Sequence, residues 1–309
     1  MKLRKKIVTM SIAMIMATGA LGINATASSI ISSNDKETTQ AYYTNMNGAE
    51  LTKEQYCNLE KVFDKDTIAT LAPEVIDIYK DCKNIGYSEK TYYIKTVSRY
   101  NDDIFLGEED QIVDKFEYDF GDVLKSTSYS ACCGSDTYET SYKKLKIQIT
   151  YTAGKRTVTV TNTWKKIPKI KSYDVIALAP GVTCAQFTED INTKSGYQKY
   201  DGNLINYSPS SSNFKTCNGS GFLKKGIGLS QNIVDSTSSS LINQISTTFT
   251  SSSMDFCAYG SYQHATSNVS LSQSKNYTIN ILGMGGLIYF NSSVAGYYDD
   301  MPGVYADLY

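Results

Sequence analysis

The only histidine of the chain, His264, is the first candidate for chemistry, because imidazole titrates near neutral pH without help from its surroundings. Cys132 and Cys133 lie upstream of it at a separation that suits one large class of cysteine hydrolases. The residues around the two cysteines carry no local signature of such enzymes, and no helix is predicted to hold a nucleophile. We therefore expect a strand-end histidine bonded to the backbone, with a hydrolase around His264 as an alternative.

The stretch 102–122 is the second candidate, because it concentrates aspartate and glutamate in one part of the chain. Ca²⁺ prefers several oxygen ligands from a loop, so the stretch is a candidate calcium site, although the spacing of an EF-hand is missing. The alternative is a solvated loop whose like charges repel one another. A single histidine and the lack of a Cys-x-x-Cys pair argue against Cys/His zinc sites, and no other cofactor is predicted.

Seven cysteines are many for a chain whose first 27 residues have the pattern of a secretory signal peptide. Cys57 and Cys82 fall on two neighbouring predicted helices, so they are the candidates for a disulfide that joins these helices. The alternative is that the cysteines are small buried apolar residues that stay reduced.

Residues 235–253 are rich in serine and threonine, with Leu241, Ile245 and Phe249 on one face. Such strands resemble the stems that pore-forming toxins insert into membranes, which makes a membrane-acting toxin another alternative. A barrel strand needs alternation over about ten residues, and two polar residues interrupt the apolar face here. An exposed strand with its loop is therefore the favoured interpretation.

The element that must position any site is a β-hairpin at 143–164. Apolar residues alternate with polar ones on both sides of a turn at Ala153-Gly154, which predicts two strands with one buried face and one wet face. The predicted buried face consists of Leu145, Ile147, Ile149, Tyr151, Val158, Val160 and Trp164, interrupted only by Asn162. The apolar run 173–179 predicts a strand buried on both faces.

The N-terminus has the pattern of a secretory signal peptide over 1–27. Four basic residues precede an apolar segment, and Ala25-Thr26-Ala27 predicts cleavage after Ala27. A membrane anchor is the alternative, and no later segment is long and apolar enough to span a bilayer. The only charged side chains that cleavage removes are basic, so the secreted chain is acidic. An acidic chain argues against a nucleic-acid partner.

The rest of the chain is predicted to consist of β-sheet with a small helical part. The predicted parts are a flexible leader over 28–48, a helical hairpin over 49–86, a β-region over 87–195, a loop or linker over 196–225 and a second β-region over 226–309. Short strands are expected at 91–99, 115–120 and 124–130, and another around Val269 and Leu271. Together these parts predict a mainly β, antiparallel, sandwich-like fold, in which the two β-regions form one body or two.

Three stretches resemble exported proteins of Gram-positive bacteria whose function is uncharacterised. They are the N-terminal segment, the stretch WKKIPKIKSYDVIAL and the tail SYQHA…NVSLSQSKNYTI. The resemblance implies export from a Gram-positive cell and brings no activity, site or ligand with it.

Composition then favours binding over catalysis. The chain has 25 tyrosines and a single tryptophan, and tyrosine with serine, asparagine and glycine is typical of adaptable recognition surfaces. No nucleophile–base pair and no metal motif is recognisable, so no catalytic residue is predicted. The leading hypothesis is a non-enzymatic secreted or cell-surface β-protein that binds a cell-wall, glycan or host-matrix ligand.

Overall fold

Strands outnumber helices in the computed structural model, which describes residues 41–101, 104–124, 136–181, 186–187, 192–218, 225–233, 240–251, 255–280, 287–299, 301 and 303–308. The helices are α1 Lys53–Leu59, α2 Lys65–Thr70, α3 Pro73–Tyr79, α4 Lys115–Leu124 and α5 Leu271–Ser274. The strands are β1 Tyr43–Thr44, β2 Glu50–Leu51, β3 Gly86–Asn101, β4 Ile104–Val113, β5 Asp136–Thr152, β6 Lys155–Trp164, β7 Tyr173–Pro180, β8 Gln186–Phe187, β9 Ser195–Tyr200, β10 Asn203–Tyr207, β11 Phe214–Asn218, β12 Lys225–Asn232, β13 Leu241–Thr250, β14 Cys257–Gln263, β15 Tyr277–Ile279, β16 Ile288–Phe290 and β17 Val304–Asp307. The mainly β, antiparallel class is confirmed, while the predicted signal peptide and its cleavage at Ala27 lie outside the described residues.

The predicted hairpin forms the middle of an eight-stranded sheet, called the large sheet below. Its strands follow the order β10-β9-β13-β6-β5-β3-β4, and β8 pairs with β13 beside that path. In the hairpin, β5 and β6 pair from Lys143 opposite Trp164 to Thr152 opposite Lys155. Gly154 adopts a positive φ of 73° in the connecting turn, which explains why glycine occupies that position. The turn therefore sets the register of the pair.

A five-stranded sheet, called the small sheet, has the order β11-β12-β7-β14-β17. Its central strand β7 is the predicted apolar run, and its residues after Tyr173 are all buried. The two faces of β7 belong to different clusters, because Ile176 and Leu178 join one core while Val175 and Ala177 join another. Burial on both faces is thus confirmed.

The two sheets share one hydrophobic core. The six apolar hairpin residues from Leu145 to Trp164 that were predicted to be buried are at most 1% exposed, whereas Tyr151 is half-buried. They cluster with Ile176 and Leu178 of β7. Gly260 of β14 allows a close approach, since a Cβ atom there would lie 2.9 Å from Val160 Cγ2. The apolar face of the hairpin therefore packs against the small sheet.

Three short helices, rather than the predicted two, follow β2. Helix α1 begins at the predicted capping box of Thr52 and Gln55, and α3 begins at Pro73. Helix α2 lies between them and begins after Asp64, whose side chain accepts a hydrogen bond from the Thr67 N–H group. These helices enclose a second apolar cluster of their own, centred on Leu59, Ile68, Leu71, Val75 and Tyr79.

The N-terminal helices cover part of the hairpin face that was predicted to be wet. Gln148 Nε2 donates to the Val62 carbonyl, and Tyr79 OH donates to the Thr150 carbonyl at 2.9 Å. Thr157 and Thr159 of β6 are consequently buried, although their sequence pattern indicates a solvent face. The prediction was wrong for this region because a period of two distinguishes two faces without stating what covers the polar one.

Cys57 and Cys82 are free thiols in the structure, in place of the predicted disulfide. The Cys57 side chain is exposed on α1. The Cys82 Sγ atom instead contacts the Ile78 carbonyl at 3.0 Å and the Thr152 hydroxyl at 3.7 Å. The prediction placed both cysteines on neighbouring helices, but α2 separates α1 from α3 and Cys82 follows the end of α3. A disulfide also needs the two side chains to point at each other.

Several predicted local structures also differ. The acidic connection contains β4, and the predicted strand 115–120 belongs to α4, where the Asp114 carboxylate accepts from the Glu117 N–H group at 2.8 Å. The predicted linker 196–225 contains β9, β10 and β11, and an Asp201-Gly202 turn with positive φ joins the first two. Ser270 caps α5 where a strand around Val269 was expected. Of the predicted strand 124–130, all but the first residue lies outside the described ranges.

Replacing Tyr79 by phenylalanine is expected to lower the free energy of unfolding by about 1–3 kcal/mol, the cost of leaving buried polar groups unpaired. The Tyr79 hydroxyl donates to the Thr150 carbonyl and also accepts from the Thr157 N–H group at 3.2 Å. Urea denaturation measures the change. Tyr87→Phe removes an exposed hydroxyl and should stay within about 0.5 kcal/mol of wild type; equal effects of the two changes would contradict this role of Tyr79.

Candidate functional site

A fully buried lysine is the centre of the most unusual polar cluster in the described residues. Lys143 Nζ lies 2.6 Å from Asp110 Oδ2 and 2.8 Å from Asp299 Oδ2, and all three side chains are fully buried. The Thr96 hydroxyl donates a hydrogen bond to Asp110 Oδ1. Lysine and aspartate are almost never fully buried unless they are paired, so this arrangement needs an explanation.

Three separate parts of the chain supply these groups. Lys143 is on β5 and Asp110 is on β4, so β3 lies between them in the large sheet. Asp299 follows the 3-10 helix Ala295–Tyr297 near the C-terminal end. The sequence contained one signal for this site, because Lys143 shares the odd-numbered face of Leu145 and Ile147. A lysine at the end of an apolar face normally extends to solvent, and only the fold places two carboxylates above it.

His264 joins the same interior region. Its Nδ1 atom lies 3.0 Å from both carboxylate oxygens of Asp174, and its backbone N–H donates to Asp299 Oδ1 at 2.6 Å. The sequence prediction of a side-chain bond to the backbone was therefore wrong, since a carboxylate takes that role. Cys132 and Cys133, the proposed partners of a catalytic histidine, lie outside the described residues.

Aromatic groups complete this cluster. Trp164 Nε1 donates to Tyr262 OH at 3.0 Å, and Tyr262 OH donates to Asp174 Oδ2. The Lys143 ammonium lies 4.9 Å from the Trp164 ring centre and 5.6 Å from the Tyr262 ring centre. The rings exclude water and offer the cation their negative faces. We call Asp110, Lys143, Asp174, His264 and Asp299 the Lys143 cluster.

Burial and charge act in opposite directions on the cations of the Lys143 cluster. Burial would lower the pKa of Lys143, but the carboxylates of Asp110 and Asp299 raise it above its usual value. Burial would likewise lower the pKa of His264, and the adjacent Asp174 raises it. For Asp299, burial raises the pKa well above the usual range, although Lys143 opposes the shift. Burial therefore favours the protonated form of Asp299, while the neighbouring carboxylates favour the protonated forms of Lys143 and His264.

A row of buried amide side chains continues the polar interior. Asn162 of β6 pairs with Asn243 of β13, which in turn pairs with Gln198 of β9. All three side chains are fully buried, and none of their amide atoms has a hydrogen-bond partner within the described residues. Asn162 is the residue that interrupted the apolar pattern of the hairpin. The polar residue that breaks the apolar pattern of the hairpin therefore belongs to a row of polar side chains in the core.

The outer side of β4 forms the second candidate site. The order of the large sheet ends at β4, so no described strand pairs with its far side. Ile104, Leu106 and Ile112 of this strand are each at least half exposed. Phe116 and Phe120 of the following helix are also exposed, with ring centres 5.0 Å apart. We call the outer side of β4, which no described strand pairs, together with the exposed side chains of this strand, the β4 edge.

Carboxylates surround the β4 edge. Glu109, Asp114 and Asp119 are exposed, and Glu108 and Glu117 are half-buried. Within the described residues, no group of three or more His, Cys, Asp or Glu side chains gathers in a way that could hold a metal ion. Some of these acids have other partners, since Glu108 accepts from Ser98 at 2.7 Å and Glu117 pairs with Lys95. Calcium binding by the stretch 102–122 stays a prediction.

Comparison of the chain with protein-family models, with curated proteins and with solved structures finds no match in any of the three. Among the helices of the described ranges, none combines the length and apolar character needed to cross a membrane. Any proposal about function therefore rests on the fold and on the two candidate sites.

Proposed function

We propose that the protein is an exported, non-enzymatic binding protein that recognises its partner at the β4 edge. The single observation that carries this proposal is an edge strand with exposed apolar side chains, whose outer side pairs with no strand of the described ranges. Natural proteins usually protect such an edge by covering it, charging it or shortening it, because it offers unpaired N–H and C=O groups to another chain. Here the edge strand is ten residues long. A long, partly apolar edge suits binding by strand addition.

The chemistry of the β4 edge favours an extended segment of another protein that carries basic and apolar side chains. Exposed Glu109 and Asp114 would attract lysine or arginine, while Leu106 and Ile112 offer apolar contacts. Pairing between two copies of β4 would bring their glutamates together, and like charges disfavour it. A glycan normally needs aromatic platforms, and Trp164, the only tryptophan, is buried.

The architecture supports the same proposal. We interpret the large and small sheets as the two layers of a β-sandwich-like body, with the helical segment 49–86 packed on the outer face of the large sheet. The shared core of the two sheets supports this interpretation. Such a body presents its edge strand on a rigid framework, which lowers the entropic cost of binding. Export through the signal at 1–27 would deliver it to a cell surface or to the medium.

The two alternative functions receive less support from the geometry. A toxin stem at 235–253 would use β13, but this strand lies between β6 and β9, and Leu241, Ile245 and Phe249 are fully buried in the core. Its release would break its pairing with β6, β8 and β9. A hydrolase around His264 would need substrate access to an imidazole that is 1% exposed. Binding at the β4 edge needs no such rearrangement.

A synthetic peptide in which lysine alternates with valine is expected to bind the protein, because it supplies a basic strand to the acidic edge. Leu106→Lys and Ile112→Lys should each weaken this binding at least tenfold by placing a cation at the contact. Isothermal titration or fluorescence anisotropy measures the affinity. Tyr289→Lys, a matched change of a partly exposed residue on β16, should leave the affinity unchanged.

Three binding results would oppose this assignment. The first is equal binding of a peptide in which glutamate replaces lysine, and the second is unchanged affinity in both β4 variants. The third is retention of the protein by peptidoglycan or cell-wall polysaccharide through a surface that the two variants do not affect. Sedimentation of the free protein as a dimer that Ile112→Lys dissociates would assign the β4 edge to self-association instead.

A further inference from the structure

The arrangement of the Lys143 cluster matches the requirements of a covalent reaction within the chain. A buried amine lies within hydrogen-bond distance of two carboxyl groups, at 2.6 Å from Asp110 Oδ2 and 2.8 Å from Asp299 Oδ2. Groups held at such distances react as if they were at very high concentration, since no further entropy is lost on approach. The surrounding Trp164 and Tyr262 keep water, which would reverse the reaction, away from the amine.

We propose that Lys143 Nζ forms an intramolecular amide bond with the side-chain carboxyl of Asp299, and that Asp110 carries the protons of this reaction. The two carboxyl groups have different roles because their contacts differ. Asp299 Oδ1 receives the backbone N–H of His264 at 2.6 Å, so this donor faces the oxygen on which negative charge develops. Within the described ranges the lysine is the only donor to Asp110 Oδ2, so this oxygen can accept a proton.

The reaction begins with Lys143 as an ammonium, Asp110 as a carboxylate and Asp299 as a neutral acid. The ammonium gives one proton to Asp110 Oδ2, and the resulting amine attacks Asp299 Cγ. The new N–C bond moves the carbonyl electron pair onto Asp299 Oδ1. Asp110 then returns its proton to Asp299 Oδ2, the C–O bond breaks and that oxygen leaves as water.

A final proton transfer from the nitrogen completes the reaction. The nitrogen still carries one extra proton after water leaves, and Asp110 takes it. The products are one amide, one water molecule and a protonated Asp110, with no oxidant, reductant or co-reactant consumed. The burial that raises the pKa of Asp299 favours the neutral acid that an amine attacks more readily than a carboxylate. Conversion of buried charged groups into a neutral amide and a neutral acid also removes their desolvation cost.

The bond would join the middle of the large sheet to the C-terminal segment. It would link β5 to the residue that follows the 3-10 helix Ala295–Tyr297, close to β17 of the small sheet. A crosslink between positions that are distant in the sequence lowers the conformational entropy of the unfolded chain and so opposes unfolding. Such a bond would make a surface protein resistant to mechanical extension and proteolysis. The inference is independent of the partner proposed for the β4 edge.

The experiment is the intact mass of the purified full chain after denaturation, with peptide mapping to establish its N-terminus. The expected mass is lower than that of the sequence by one water molecule, and digestion should give a branched peptide that joins Lys143 to Asp299. Lys143→Arg keeps the cation but should restore the full mass. Asp299→Asn is the informative control, because its amide would lose ammonia and give the same final mass as the wild-type product.

Asp110→Asn should leave most of the chain unlinked, since it removes the proton carrier while it preserves the side-chain shape. Circular dichroism of each variant shows whether it has folded. A folded wild-type chain that keeps its full mass after prolonged incubation at neutral pH would overturn the proposal. A branched peptide at Asp110 in place of Asp299 would overturn the assigned roles.

Discussion

Replacing Trp164 by alanine is expected to lower the free energy of unfolding by about 3–5 kcal/mol, the usual cost of deleting a large buried aromatic side chain. Trp164 is 1% exposed and lies at the end of β6 in the core shared by both sheets. Its loss would leave a cavity and would also remove the N–H group that donates to Tyr262. The Lys143 ammonium would lose an aromatic neighbour as well.

Urea denaturation followed by far-UV circular dichroism measures this effect without relying on tryptophan fluorescence. Trp164→Phe keeps most of the volume and should cost less than the alanine variant. Thr163→Ala changes the neighbouring half-buried residue of β6 and should stay within about 0.5 kcal/mol of wild type. Wild-type fluorescence should be blue-shifted and poorly quenched by iodide, and free quenching would contradict the buried position.

Removing the carboxylate of Asp174 is expected to have an effect of similar size. Asp174 accepts from Tyr262 OH and the Ala265 N–H group and also contacts His264 Nδ1, and it is fully buried. Asp174→Ala should cost about 3–5 kcal/mol, because breaking a buried ion pair leaves one partner uncompensated. Asp174→Asn keeps the shape and should cost less at high pH, where a neutral His264 no longer needs a counter-charge.

The pH dependence gives a second readout of the same contact. Asp174 raises the pKa of His264 in the folded protein above its unfolded value of about 6.5. The stabilisation is therefore fully present below the unfolded pKa and is lost as the pH rises through the folded pKa. Asp299 is unchanged in Asp174→Asn, so its own contribution cancels when this variant is compared with wild type.

The difference in unfolding free energy between wild type and Asp174→Asn isolates the histidine contribution. This difference should be largest in mildly acidic buffer and should shrink as the pH rises through the folded pKa of His264. Denaturation at a series of pH values measures it. A difference that stays constant with pH would show that His264 does not gain a proton-linked contact with Asp174.

Strong local patterns were sufficient to predict the central hairpin. Strict alternation and a turn with Gly154 predicted β5, β6 and the burial of Trp164, because side chains of period two must separate onto two faces. The apolar run 173–179 likewise predicted β7. Local signals also exist for two elements that were not predicted: Asp201-Gly202 for the β9–β10 turn and Ser270 with Gln273 for the cap of α5.

Contacts with other parts of the chain determine structure that the local sequence pattern does not predict. The acidic residues from Glu108 to Asp110 have low strand preference, yet they form β4 because β3 supplies a ladder of hydrogen bonds. Thr157 and Thr159 look solvated in the sequence, yet the N-terminal helices cover part of that face. Thr159 even shares a hydrogen bond with Ser246 of β13 at 3.1 Å.

The mainly β class, the central hairpin and its apolar face follow from local patterns, because they depend on neighbours a few residues apart. Only the tertiary structure brought Asp110 and Asp299 to Lys143, and Asp174 to His264. These partners are distant in the chain, and no local period encodes which sheet edge or loop will meet a given strand. The position of β4 at the end of the described strand order likewise depends on the whole fold.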